Sequence, residues 1–529
     1  MSQIAVRPSA RLRQALLDGQ EVALIDVREE ALFAEAHPLF AANIPLSRLE
    51  LDIYARVPRR DTAITVYDDG EGLAAVAVAV QRLQALGYTD VALLQGGLAG
   101  WRDAGGELFR DVNVPSKAFG ELVESLQHTP SLTAEEVQAL LDSQADVVVV
   151  DARRFDEYQT MSIPGGISVP GAELVLRIRE LAPDPQTRVI VNCAGRTRSI
   201  IGTQSLINAG IPNPVSALRN GTIGWTLAGQ ALEHGQQRRF GEVAEHTRAT
   251  AAQSARVVAD KAGVQRATLA ALGRWQAEQG RTTYVFDVRT PEEYAARHLP
   301  AARSTPGGQL VQETDHFASV RGARLVLVDD DGVRANMSAS WLAQMGWDVS
   351  VLDDAQSSDF TATGAWQTPL PTLPDAETVS PATLAQWQAE GDTQVFDFTS
   401  SANHVQGHIA GAHWALRAQL PQALENVPMA ERYVVTCGSG LLARFAVADL
   451  QALTGKPVFL LEGGNAAWVA QGLPVETGER HLAVPRSDRY RRPYEGTDNP
   501  RQAMQGYLDW EFGLVEQLAK DGTHGFKVI

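Results

Sequence analysis

The sequence predicts an α/β fold built from tandem modules, each a parallel sheet covered by helices on both faces. Three observations support this. Short apolar strands alternate with amphipathic helical segments, which is typical of parallel sheets. The same unit recurs four times along the chain. At 529 residues, the chain is also too long for one ordinary domain. A helical connector and a helical C-terminal tail complete the expected architecture.

Each copy of the repeat starts with an apolar strand that ends in aspartate. These aspartates are Asp26, Asp151, Asp287 and Asp397. A second strand ends 42 residues later in the first three copies and 40 residues later in the fourth. Its end residues are Asp68, Cys193, Asp329 and Cys437. The two cysteines of the chain therefore share one position of the repeat, which random scatter would make improbable.

A glycine turn followed by tryptophan marks the end of three copies, at Trp101, Trp225 and Trp468. The third copy lacks it and is the most degenerate. We expect modules at 1–115, 130–235, 265–365 and 376–480, with a connector at 236–264 and a tail at 481–529. Adjacent copies are expected to pair, the first with the second and the third with the fourth.

Composition narrows the possible functions. A net charge of −17 argues against nucleic acid as a main partner, because phosphate binding needs a cationic face. No apolar run approaches the ~20 residues that span a bilayer, and residues 1–10 lack a secretory pattern. Two cysteines cannot form a disulfide framework, and the chain lacks CxxC and HExxH motifs. We therefore expect a cytoplasmic protein with no membrane partner, no metal and no cofactor.

Cys193 is the first candidate for the chemistry. The β-branched run at 189–191 predicts a strand, and the apolar segment after Ser199 predicts a helix. Loop amides, the helix N-terminus and nearby guanidinium groups would then favour a thiolate over a thiol. Ala194 and Gly195 are small enough for the backbone to approach an anion closely.

The rest of the loop predicts an anion site over residues 194–199, which includes Thr197. Arg196 and Arg198 can hold a dianion through planar guanidinium groups, although both could instead be solvent-facing charges. Ser199 is expected to be a helix N-cap. Asp151 and Arg153 are expected to form a structural ion pair beside the crevice.

These motifs resemble the rhodanese superfamily of sulfurtransferases. The resemblance rests on the Asp-x-Arg segment, the strand ending in cysteine, its six-residue loop and the Leu-x-Gly-Gly-x-x-x-Trp element, in that order and repeated. It implies a rhodanese α/β fold and a persulfide intermediate on Cys193. A donor such as thiosulfate would supply the sulfur, and cyanide, a small thiol or a protein acceptor would remove it.

The fourth module carries the second cysteine in a different loop. Residues 437–440 read Cys-Gly-Ser-Gly, similar to mercaptopyruvate sulfurtransferases, with Leu442 where that group usually has threonine. The loop has no cation, so it suits a carbonyl-bearing thiol better than a dianion. Cys437 is therefore a second candidate nucleophile. Asp68 and Asp329 cannot form a persulfide, so the first and third modules are expected to be inactive.

Two alternatives remain open from the sequence. The chain could be a non-catalytic sulfur carrier or interaction scaffold that binds a partner through its inactive modules. Phosphatases of the same fold need Cys-x5-Arg, whereas Arg198 lies one residue too early for that spacing.

The tail carries an apolar stripe that predicts an amphipathic docking helix. Its residues are Met504, Tyr507, Leu508, Trp510, Phe512, Val515 and Leu518.

Overall fold

The computed structural model describes residues 4–70 and 73–529, so the first three residues of the 1–10 segment lie outside it. Over these residues the chain forms four five-stranded sheets and one two-stranded sheet. In each five-stranded sheet the spatial order is first, fifth, fourth, second and third strand. All strand pairs in these four sheets are parallel. The predicted tandem α/β fold is confirmed.

The first sheet is formed by residues near the N-terminus, and its second and fourth strands are buried along their whole length. Its strands are β1 (Val6–Arg7), β2 (Ala23–Asp26), β3 (Ala42–Asn43), β4 (Ile64–Tyr67) and β5 (Val91–Leu94). Its helices are α1 (Ser9–Leu17), α2 (Glu30–Phe33), α3 (Leu49–Arg56), α4 (Leu73–Ala85) and α5 (Gly97–Asp103). Helix α6 (Val114–Gln127) then leads into the second module.

The second sheet contains the most continuous β-branched strand of the chain, Val147–Asp151, which suits a strand covered on both faces. Its strands are β6 (Ser131–Leu132), β7 (Val147–Asp151), β8 (Ile167–Ser168), β9 (Arg188–Asn192) and β10 (Val215–Leu218). Its helices are α7 (Ala134–Asp142), α8 (Phe155–Thr160), α9 (Leu174–Leu181), α10 (Thr197–Asn208) and α11 (Gly221–Leu227). The connector forms helix α12 (Glu245–Lys261).

The third sheet repeats this plan, and its helix α14 starts with a capping box between Thr290 and Glu293. Its strands are β11 (Gln265–Ala267), β12 (Thr283–Asp287), β13 (Arg303–Ser304), β14 (Arg324–Val328) and β15 (Asp348–Leu352). Its helices are α13 (Leu269–Ala277), α14 (Pro291–Ala296), α15 (Gly307–Gln312), α16 (Thr314–Phe317) and α17 (Arg334–Gln344).

The fourth module adds an antiparallel strand pair to its parallel sheet. Its strands are β16 (Thr378–Val379), β17 (Thr393–Asp397), β18 (His408–Ile409), β19 (His413–Trp414), β20 (Arg432–Thr436), β21 (Val458–Leu461) and β22 (Val475–Glu476). Its helices are α18 (Pro381–Glu390), α19 (Ser401–Gln406), α20 (Leu420–Glu425), α21 (Leu441–Thr454) and α22 (Gly464–Ala470). The tail forms α23 (Arg501–Phe512) and α24 (Leu514–Asp521).

The largest apolar core joins the first and third modules, and it also takes Leu514 and Leu518 of the tail. Tyr284 of the third module donates its hydroxyl to the Arg56 carbonyl of the first at 2.5 Å. Each fully buried aliphatic side chain in this core, such as Leu514, stabilises the folded protein by about 1.5–3 kcal/mol. The expected pairing of the first copy with the second and the third with the fourth did not include this contact, in which the apolar core is continuous between modules one and three.

The tryptophans of the repeated glycine turns are core residues. Trp101, Trp225 and Trp468 are at most 1% exposed. Each indole N–H donates to the backbone carbonyl six residues further on, so the buried polar atom is paired. Within the described part of the chain, no helix is both long and apolar enough to cross a membrane.

Candidate active site

Cys193 lies at the carboxyl end of a central strand. It follows β9, which pairs with β7 on one side and β10 on the other, and it precedes α10. The predicted strand, loop and helix are confirmed, although the helix starts at Thr197 rather than at Ser199. Loops at the carboxyl ends of parallel strands form the crevice of α/β folds, so this loop has the placement of a reactive site.

The glycine turn before Trp225 holds the Cys193 loop through two backbone hydrogen bonds. Thr222 donates its N–H to the Cys193 carbonyl at 2.9 Å, and Ile223 donates to Ala194 at 3.0 Å. A Cβ on Gly221 would lie 2.2 Å from the Cys193 oxygen, and its φ is +55°. Only glycine fits there. The glycine of the turn and the cysteine of the loop therefore both recur because their backbones pack directly against each other.

The Cys193 thiol is buried and hydrogen-bonded to Ser199. It is 1% exposed, and its Sγ lies 3.3 Å from the Ser199 hydroxyl, to which it donates. The Ser199 hydroxyl donates in turn to the Arg196 carbonyl at 2.8 Å, so Ser199 supports the sulfur and is not the expected N-cap.

Burial raises the pKa of Cys193, while Arg198 and the Ser199 hydroxyl and N–H oppose that rise. The expectation of a resting thiolate is therefore wrong. Desolvation of the charged sulfur outweighs the cation and the hydrogen bonds. Burial in this arrangement therefore favours the thiol form of Cys193 over the thiolate.

Arg196 does not face solvent, and its guanidinium is occupied. It donates to both carboxylate oxygens of Glu121 on α6, at 2.7 and 2.9 Å, and also to Glu124. It also lies 4.3 Å from the ring centroid of Phe512 in the tail. With two carboxylates on this side chain, the expected role in binding a dianion does not fit. Arg196 instead ties the loop to α6 and α23.

Arg198 is the cation that opposes the rise in the pKa of the Cys193 thiol. Its guanidinium binds the Glu157 carboxylate in a bidentate pair at 2.7 and 2.9 Å. It also lines a cavity of about 1060 Å³ to which all four modules and the segment before α23 contribute. Arg198 therefore acts electrostatically on the buried thiol and also lines this cavity.

Asp151 and Arg153 form the expected ion pair. Both are 1% exposed, and Arg153 donates to the two Asp151 oxygens at 2.9 and 2.7 Å. Asn192, which the sequence interpretation missed, donates to the same carboxylate at 2.8 Å and so links β9 to β7. The arrangement positions the strand that carries Cys193.

Two tail residues cover the loop, and the sequence interpretation did not assign them to the site. A Cβ on Gly195 would lie 3.1 Å from Tyr507 Cε1 and 3.4 Å from Glu511 Oε2. Tyr507, Leu508 and Met504 pack with Ile223 of α11, so the predicted apolar stripe does dock. The available signal was that stripe, which identified a docking helix but not its partner.

In the first and third modules a carboxylate occupies the cysteine position. Asp68 accepts the Gly70 N–H at 2.8 Å, and Asp329 accepts from Gly332 and Ala335 at 3.1 and 2.8 Å. Burial raises the pKa of both carboxyls, and Asp331 contributes further at Asp329. These loops hold a carboxyl where the second module has the Cys193 thiol.

Cys437 occupies the matching position of the fourth module. It is 5% exposed, whereas the adjacent Gly438 and Ser439 are exposed. Asn465 donates its N–H to the Cys437 carbonyl at 2.8 Å, in the manner of the second module. Arg444 donates to the Pro374 carbonyl at 3.2 Å, so that cation is directed elsewhere.

Comparison with known proteins agrees with this repeated geometry. The rhodanese-like domain family matches residues 9–104, 133–228, 268–356 and 380–471. The chain belongs to the rhodanese family. A crystal structure of a thiosulfate sulfurtransferase from Pseudomonas aeruginosa is 75% identical, with a TM-score of 0.98, and the match covers 99% of this chain and 100% of that one.

Two curated relatives match shorter parts of this rhodanese chain. Thiosulfate sulfurtransferase of Azotobacter vinelandii is 26% identical over 207 residues, which is 35% of this chain and 74% of that protein. An HTH-type transcriptional regulator of Mycobacterium tuberculosis is 33% identical over 90 residues, 17% of this chain and 39% of the regulator. The module thus occurs in proteins of different overall architecture.

Proposed function

We propose that the protein is a sulfurtransferase that carries a sulfane sulfur as a persulfide on Cys193. The observation that carries this proposal is the setting of the thiol. Cys193 lies at a strand end, hydrogen-bonded to Ser199 and within electrostatic range of Arg198, which lines the cavity. The 75% identity to a thiosulfate sulfurtransferase supports the same reaction class.

With thiosulfate as donor, the Cys193 sulfur attacks the outer sulfur of the dianion. The sulfur–sulfur bond of thiosulfate breaks, and its electron pair leaves with sulfite. The thiol proton leaves with it as hydrogen sulfite, so charge and atoms balance. Cyanide or a thiolate then attacks the outer sulfur of the persulfide, giving thiocyanate or a new persulfide and returning the Cys193 thiolate.

The loop residues divide the work in this proposal. The N–H groups of Ala194, Gly195, Arg196 and Thr197 form the anion site at the start of α10. Ser199 bonds the inner sulfur, and Arg198 supplies the positive charge next to it. Asp151 and Arg153 keep the strand in place. Because a persulfide carrier needs a free thiol, we expect a reducing, cytoplasmic location.

Turnover of thiosulfate with cyanide tests the proposal directly. Cys193→Ser should abolish thiocyanate formation, and Cys437→Ser should leave most of it. Full activity in Cys193→Ser would reject the assignment. Absence of turnover in the unmodified protein, together with rapid persulfide exchange to a protein thiol, would favour the carrier or scaffold alternative.

The exposed loop beside Cys437 supports a second candidate activity. Gly438 and Ser439 are open to solvent, and the loop has no cation. A mercaptopyruvate-type donor carries a carbonyl and a single carboxylate, and it fits a neutral loop better than thiosulfate does. Turnover of 3-mercaptopyruvate that persists in Cys193→Ser and disappears in Cys437→Ser would establish this activity, and the reverse would exclude it.

A further inference from the structure

A buried carboxyl from the C-terminal tail faces the Cys193 loop. Glu511 is 0% exposed. Its Oε1 accepts the Tyr507 hydroxyl at 2.8 Å, while its Oε2 has no hydrogen-bond partner among the described residues. That unpaired oxygen is the atom nearest the loop from this side chain, 3.4 Å from the position of a Cβ on Gly195.

The helix that carries Glu511 is firmly seated on the second module. Leu508 is 1% exposed within the cluster that includes Ile223. Arg501, at the start of the helix, donates to the Leu227 carbonyl at 2.6 Å. The Glu511 side chain is therefore presented to the loop by a fixed element, which is how a positioning group must be held.

Charged groups surround Glu511 on two further elements. On α6, Lys117 lies close enough to favour the carboxylate and Glu121 close enough to oppose it. Lys117 is itself bound by Asp111 at 2.5 Å. In the loop, Arg196 favours the carboxylate but is held by Glu121. Neither cation is therefore free to pair with Glu511.

Burial raises the pKa of Glu511 to about 8, with Glu121 as the next contribution in the same direction. Tyr507 on the same helix faces it, Tyr494 packs against Tyr507, and the Cys193 sulfur lies within electrostatic range. At neutral pH the group is therefore mainly a neutral carboxylic acid. A buried O–H without an acceptor is unfavourable, and the resting site offers Oε2 no partner among the described residues.

We propose that Glu511 is a further binding residue of the Cys193 site, whose carboxyl O–H donates to the anionic sulfur species held by the loop. The species is the outer sulfur of the persulfide or an oxygen of bound thiosulfate, both of which are acceptors. The inference rests on the proposed function at Cys193. The tail thereby completes an anion site that the rhodanese modules alone do not contain.

Two substitutions separate this role from a purely structural one. Glu511→Gln keeps the shape and an N–H donor but removes the ionisation. Glu511→Leu keeps most of the volume and removes the donor. Asp509→Asn is a matched control, because Asp509 is exposed on the same helix and accepts a hydrogen bond from Gln505 on that helix.

The experiment measures kcat and KM for thiosulfate, with cyanide as acceptor, from pH 6 to 9.5 in the full-length protein. We expect Glu511→Leu to lower kcat/KM at pH 7 by about tenfold or more, the equivalent of one charge-assisted hydrogen bond. Glu511→Gln should stay within about threefold at pH 7. It should also lose the fall in rate above pH 8 that ionisation of Glu511 causes in the unmodified protein.

Persulfide occupancy by mass spectrometry distinguishes the two acceptors. A raised KM with normal persulfide lifetime assigns the bond to thiosulfate, and a shortened lifetime assigns it to the persulfide. Unchanged kinetics in Glu511→Leu overturn the proposal. If that variant does not fold, an alkaline fall in Glu511→Gln identical to that of the unmodified protein overturns it. Loss of persulfide at Cys193 in the unmodified protein rejects the proposed function instead.

Discussion

The Asp329 carboxylate accepts the N–H of Ala335 at 2.8 Å. Six residues also separate Cys193 from Ser199, whose N–H bonds the sulfur in the second module. The loop of the third module therefore has the same geometry, and an Asp329 carboxylate oxygen takes the place of the sulfur. Arg334 likewise binds Glu293, as Arg198 binds Glu157. The third module therefore has the supporting contacts of the loop with aspartate at the cysteine position.

We predict that Asp329→Ala destabilises the third module without altering thiosulfate turnover. The substitution leaves two loop N–H groups without acceptors, at about 1–3 kcal/mol each. Asp329→Asn should be close to neutral, because asparagine keeps an acceptor oxygen for the loop N–H groups and burial already raises the pKa of the Asp329 carboxyl. Thermal unfolding with parallel activity assays tests this. Equal melting temperatures for the alanine and asparagine variants would contradict it.

The Arg198–Glu157 pair is predicted to control ionisation of Cys193. Replacing both partners in Arg198→Met/Glu157→Gln removes the cation without leaving a buried carboxylate unpaired. We expect the pKa of Cys193 to rise further and alkylation by iodoacetamide at pH 8 to slow by about tenfold. The exposed Arg256 of the connector helix, with 51% of its side chain accessible, provides the control variant Arg256→Met. An unchanged alkylation rate in the double variant would show that Arg198 does not act on the thiol.

Glu511 is also predicted to make stability fall with rising pH. Its pKa is about 8 in the folded protein and about 4.5 as the ordinary value. Between these values the unfolded chain releases the proton and the folded chain retains it. Raising the pH therefore favours unfolding. Glu511→Gln removes this pH dependence. The melting temperature of the variant minus that of the unmodified protein should therefore increase from pH 5 to pH 8 and then level off. A constant difference across that range would contradict the raised pKa.

The buried Asp151–Arg153 pair is predicted to be structural. Arg153→Met leaves the carboxylate without its bidentate partner, a change that typically costs about 3–5 kcal/mol. The melting temperature should fall by several degrees, while KM for thiosulfate in the folded fraction stays the same. A large change in KM with unaltered stability would instead indicate contact with the donor.

Sequence spacing was sufficient to predict the repeat, the strand before Cys193 and the Asp151–Arg153 pair, because each depends on local pattern. It did not predict that Arg196 binds Glu121, which lies 75 residues earlier on another helix. It also did not predict that burial raises the pKa of the Cys193 thiol by more than the Arg198 cation lowers it. Glu511 showed only as part of an amphipathic tail, since periodicity identifies a docking face but not the surface it docks on.

The most direct test is the mass of the Cys193 and Cys437 peptides after treatment with thiosulfate and removal of excess donor. The account predicts the gain of one sulfur atom on the Cys193 peptide, absent in Cys193→Ser and reversed by cyanide. A persulfide found on Cys437 alone, with Cys193 unmodified, would contradict it.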